Sequence, residues 1–156
     1  MEKLTLSSLG IPRVLNAATT YTRIGGSRMA PEVLAAMVQG ANDFVEIEEL
    51  HKVAGERIAQ LTKNEAAYIT PGCAGAIVLS VLAILDLNKS ATKNEFIIDH
   101  THMVDYVQSI EFAGGVIKVI GAEGSRSEAE LINAFDEKTA GIFFVPGLNR
   151  PPGALS

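Results

Sequence analysis

Apolar residues in the first third of the chain that follow a period follow a helical one. Val33, Leu34, Met37, Val38 and Ala41 recur after Pro31, so a helix is predicted to open there. A proline's fixed φ and missing N–H suit the first helical turn. Ile47, Leu50, Ala54, Ile58 and Leu61 recur at three and four, which predicts a second helix. Glu46, Glu48 and Glu49 crowd its positive N-terminal end. Residues 1–30 show no period. Gly10-Ile11-Pro12, Asn16 to Thr20 and Gly25-Gly26-Ser27 read as an arm and loops.

From residue 66 onward, short apolar runs alternate with helical stretches. Residues 66–70 read as a strand, and 73–87 as a helix so apolar all round that it should be buried. Residues 96–99 read as a strand, 105–113 as a helix closed by Gly114-Gly115, and 116–120 as a strand. A helix over about 128–135 carries a capping-box pattern, Ser127 followed by Glu130. Residues 141–145 read as a last strand. Strands alternating with helices in this way predict the α/β class, with a mostly parallel sheet and helices on both faces. Ligands in such sheets bind beyond the carboxyl ends of the strands. Residues 70–74 and 99–102 therefore draw attention.

Composition narrows the picture. At 156 residues, 47% of them hydrophobic and 20% charged, the chain has a domain's length and can build a packed core. Thirteen basic against 18 acidic residues leave a net charge of −5. That argues against nucleic acid as partner, but not against a small phosphorylated ligand held by backbone amides. Cys73 is the single cysteine, so neither an intrachain disulfide nor a cysteine-cluster zinc site is available. The opening residues lack an apolar signal core, and a cytoplasmic setting is the expectation. Residues 66–85 are long and uncharged enough to suggest a membrane span, but Pro71-Gly72 interrupts them. No membrane partner is expected.

The turn Thr70-Pro71-Gly72-Cys73-Ala74-Gly75-Ala76 joins the expected strand to the apolar helix. Its small residues allow close approach of a ligand, and the amides of a first helical turn favour a phosphate dianion. It has neither Walker A nor dinucleotide spacing, and a plain tight turn explains the same residues. Asp99-His100-Thr101-His102 follows the next strand, where an imidazole can stack on a ring or handle protons. A metal reading needs a third ligand, and only His51 remains among the histidines. Cys73 reads as a small residue at a helix start rather than a nucleophile. No nucleophile-elbow motif is present. In the arm, Tyr21, Arg23 and Arg28 flank a Gly-Gly turn, an arrangement suited to carboxylate or phosphate recognition and equally to solvated surface.

Taken together, NAATTYTRIGGSR, ITPGCAGAIVLSVLA and HTHMVDYVQSIEFAGG, in this order and spacing, resemble the selenocysteine-synthase-like group of fold type I pyridoxal-phosphate enzymes. The resemblance runs from about Ile11 to Ser156 and points to the ammonia-lyase members. It implies a cofactor, pyridoxal 5'-phosphate, with its phosphate at Gly72, Cys73 and Ala74 and its ring stacked on His102 rather than His100. It implies that Tyr21, Arg23, Gly26 and Ser27 line the substrate end, Arg23 contacting an anionic group. The substrate would be a small amino acid or amino sugar acid phosphate, and the complete enzyme a homo-oligomer. Members acting on tRNA carry an extra N-terminal domain before the arm, whereas this chain starts almost at the arm. That start and its acidity favour the small-molecule branch.

This chemistry needs a Schiff-base lysine and a carboxylate on the pyridinium nitrogen. The family places both beyond the position matching Ser156. Lys3, Lys52, Lys63, Lys89, Lys93 and Lys138 lie in polar contexts, and Lys118 sits mid-strand, facing away from Ile117 and Val119. Asp99 precedes His102, too early to be the ring carboxylate. No catalytic residue is assigned. The expectation is an N-terminal portion of a longer enzyme, inactive alone. Residues 1–45 would be its arm and first helix, and 46–156 an incomplete cofactor-binding domain of the large-domain type. The alternative is a non-catalytic α/β module binding a phosphorylated metabolite.

Overall fold

A computed structural model of the chain describes residues 4–18, 20–88, 92–121 and 128–145. Two units are distinguished, Met1–Leu50 and His51–Ser156. In the first, helix α1 spans Pro31–Gly40 with proline in its first turn, as its sequence predicts. A 3-10 turn at Thr22–Ile24 and an antiparallel bridge between Tyr21 and Gly26 organise the arm. None of its described residues is buried. Helix α2, Ile47–Thr62, begins in this unit and continues into the second.

The second unit is built on a parallel sheet. Its strands are β1 (Glu95–Asp99), β2 (Val116–Ile120) and β3 (Thr139–Phe143), in the order β2-β1-β3. Central β1 is buried along Phe96–Asp99, as expected of a parallel strand covered on both faces. Phe96 and Ile98 point to one face. There they pack with Val81 of helix α3 (Cys73–Asn88) and with Val107, Ile110 and Ala113 around helix α4 (Gln108–Phe112). Ile97 points to the other face and shares a cavity with Ile120, Ile142 and Leu131 of helix α5 (Glu128–Ala134). Helices thus lie on both faces of the sheet, as the alternating pattern predicts.

Several expectations need correction. Residues 66–70 form no strand: among the described residues their backbone joins no ladder. An extended run becomes a strand only where another edge meets it, and both edges of β1 are taken by β2 and β3. Among the described residues the sheet has three strands, not four. Helix α3 has the expected length, yet Val81 is its one buried residue, and Leu79, Leu82 and Leu87 are exposed. A sheet covers only the helix face that lies on it, and uniform greasiness does not reveal how many faces will be covered. The helix expected over 105–113 is a 3-10 turn, Asp105–Val107, leading into the short α4. The last strand begins two residues early, at Thr139, where the register against β1 shifts. Ser127, and with it the capping box, lies outside the described residues; Glu130 accepts a hydrogen bond from the Gly121 N–H at 3.0 Å.

Candidate functional site

The start of α3 is an open turn. Gly72 has φ of 127°, a conformation side chains rarely adopt, and nothing lies within 4 Å of where a Cβ would point. The Thr70 hydroxyl donates to the Gly72 carbonyl at 3.0 Å, and the Ala76 N–H reaches the same oxygen at 3.1 Å. The helix thus takes up its first N–H at Ala76. The amides of Cys73, Ala74 and Gly75 belong to the orphan donors of a helix start. Cys73 and Ala74 are exposed. A small anion would meet backbone donors here.

The direction of α3 places this turn in the sheet. Leu85, near the helix's far end, approaches Gly114, which shortly precedes β2. That end of α3 therefore lies at the amino ends of the strands, and its start lies toward their carboxyl ends, the usual ligand side.

The histidine turn occupies the same end. Asp99 closes β1, and its Oδ1 accepts from the Thr101 N–H at 2.8 Å and the Thr101 hydroxyl at 2.6 Å. This caps the 3-10 turn His100–His102. His100 is exposed; His102 is only 4% exposed. The Val145 N–H donates to His102 Nδ1 at 3.4 Å, which leaves the proton on Nε2. Nε2 is buried and has no partner among the described residues. The ring lies 4.5 Å from that of Phe144 at a 50° tilt, on a cavity of about 360 Å³ that Asp99 and Ile120 also line. A buried N–H without an acceptor costs about 1–3 kcal/mol, which a ligand acceptor or ring would relieve.

In the other unit, Tyr21, Arg23 and Gly26 share one turn. The Gly26 N–H donates to the Tyr21 carbonyl at 2.9 Å, and Asn16 Nδ2 donates to the Gly26 carbonyl at 3.4 Å. Arg23 and Ser27 are exposed. Sequence reading missed the capping role of Asp99, although an acidic residue before a short polar turn is a capping signal. It also missed Phe144 and Leu131, for which spacing offers no signal. His51, weighed only as a metal ligand, instead contacts Tyr68 and the Ile69 carbonyl. Among the described residues no three His, Cys, Asp or Glu side chains gather as a metal site, and no helix is long and apolar enough to cross a membrane.

No family model matches the chain. It is 32% identical over 151 residues to D-glucosaminate-6-phosphate ammonia lyase of Salmonella typhimurium, a match covering 88% of this chain and 41% of that protein. It is 29% identical over 130 residues to L-seryl-tRNA(Sec) selenium transferase of Hyphomonas neptunium, covering 77% of this chain and 28% of that one. A solved structure of D-glucosaminate-6-phosphate ammonia-lyase matches it with a TM-score of 0.85 and 31% identity, over 100% of this chain and 46% of the other. The chain spans less than half the length of these relatives.

Proposed function

Given that the chain belongs to the selenocysteine-synthase-like family of pyridoxal-phosphate enzymes, we propose that it forms the cofactor-phosphate portion of a lyase. That enzyme removes ammonia from a small amino acid or amino sugar acid phosphate. The reading is carried by the open, donor-rich start of α3 at Gly72, in a chain that matches an ammonia-lyase structure along its whole length.

The residues fit the group. Gly72, Cys73 and Ala74 hold the phosphate dianion of pyridoxal 5'-phosphate through backbone amides, at a turn whose Gly72 φ of 127° disfavours any side chain. We assign His102 to the pyridine ring; its buried Nε2 has no partner among the described residues. When bound, the cofactor supplies an electron sink for the bond-breaking step. Arg23, with Tyr21, Gly26 and Ser27, binds the substrate's anionic group by charge-assisted hydrogen bonds. The net charge of −5 favours a small substrate over tRNA. The lone free Cys73 suits a reducing, cytoplasmic setting. The exposed apolar side chains of α1, Val33, Leu34, Met37 and Val38, suit a homo-oligomer.

Melting with and without pyridoxal 5'-phosphate tests the reading. The cofactor should raise the melting temperature of the chain, and Gly72→Asp, which sets a negative charge against the anion, should abolish the rise. Absence of any rise in the parent chain would overturn the site. Borohydride treatment should trap no specific lysine within residues 1–156; a trapped one would overturn the assignment of the nucleophile to another part of the enzyme.

A further inference from the structure

Helix α2 holds the segment before the Gly72 turn at two points one helical turn apart. His51 Nε2 lies 2.8 Å from the Ile69 carbonyl, and its ring centroid lies 4.3 Å from that of Tyr68. A carbonyl can only accept, so Nε2 carries the donated proton. Gly55, four residues on and therefore on the same helix face, is buried against the Ala67 carbonyl; a Cβ there would collide with that oxygen. Among the described residues, the His51 bond is the one hydrogen bond made to the backbone of 66–70. Where a neighbouring strand would hold an extended run, a helix side chain does so here. The held segment runs straight into Thr70, whose hydroxyl grips the Gly72 carbonyl.

We infer that His51 is a positioning residue for the anion turn. With the close approach at Gly55 it fixes residues 67–69, and through Thr70 it sets the direction in which the Gly72–Ala74 amides present themselves to a phosphate monoester. The inference rests on the reading of that turn as the cofactor-phosphate site. His51 touches no ligand and acts only through the backbone it holds.

The experiment compares the affinities of the full 156-residue chain for pyridoxal 5'-phosphate and for pyridoxal, which lacks the phosphate. The parent chain should prefer the phosphorylated probe. His51→Ala should erase that preference by on the order of tenfold, the effect of one lost hydrogen bond, and leave pyridoxal affinity unchanged. His51→Gln keeps an N–H donor and should recover most of the preference, which a merely space-filling role would not predict. Gly55→Ala, a change that by itself favours helix, should lose the preference because it pushes Ala67 away. Amide hydrogen exchange should rise at residues 67–72 in the Ala variants and stay unchanged in β1. If His51→Ala loses its fold, the Gln and Gly55 variants decide by the same comparison. A parent chain with no preference for the phosphorylated probe removes the site itself. A parent preference that His51→Ala and Gly55→Ala both leave intact overturns the positioning role.

Discussion

Lys118 Nζ lies 2.6 Å from Asp136 Oδ2, tying the middle of β2 to the loop after α5. Glu95 Oε2 of β1 stands 3.4 Å from the same ammonium. In the register of β1 against β2, Lys118 sits beside Ile97, on the face that carries α5. A lysine in a half-covered strand is thus matched by two carboxylates.

This pair shapes the pH dependence of stability. The hydrogen bond from Lys118, helped by the Lys138 N–H, holds the Asp136 carboxyl below its ordinary value. The hydrogen bond to Asp136, with Glu95 adding to it, holds the Lys118 ammonium above its own. The aspartate's contribution is complete above its ordinary value and is lost as pH falls through the lowered one. The lysine's is complete below its ordinary value and is lost as pH rises through the raised one. Both are therefore present at neutral pH. Lys118→Met should flatten the acid limb of a melting-temperature profile, while the Lys138 bond preserves part of it. An unchanged acid limb would show that the pair contributes nothing measurable, as exposed pairs often do.

Ile98 should be the costliest apolar position to truncate. It is fully buried in the middle of the central strand, packed with the cluster that includes Phe96, Val81 and Ile110. Ile98→Ala should destabilise the chain by about 2–5 kcal/mol, combining lost burial with a residual cavity. Urea unfolding measures this. A loss below about 1 kcal/mol would mean that the core relaxes around the gap.

Asp99 should control the orientation of His102. Asp99→Ala removes the acceptor that caps the 3-10 turn, at a cost of about 0.5–2 kcal/mol. The larger expected effect is local: the His102 ring, set by that turn and by the Val145 N–H, should shift. NMR signals of the His102 imidazole report it directly. Signals identical to the parent chain would show that Val145 and Phe144 suffice to hold the ring.

Much of the fold was legible in the residues themselves. The three-and-four spacing from Ile47 to Leu61 marks α2, and the apolar runs around Ile97 and Val119 mark two strands, because those patterns express which side of an element faces a core. Spacing alone does not tell His100 from His102; the fold leaves the first exposed and buries the second.

What the residues alone determine is local: helix or strand, where a turn needs glycine, where a helix start leaves amides free. Partnership across the chain was decided only by the tertiary structure. Residues 66–70 read as a strand, yet His51 holds them, 18 positions before Ile69. Helix α3 reads as buried, yet the sheet covers one side of it. Lys118 reads only as a mid-strand residue facing away from Ile117 and Val119, yet Asp136 answers it from 18 residues away. A side chain's periodicity records its own preference for water or core, whereas pairing and burial depend on what a distant segment happens to present, and that is set only when the chain packs.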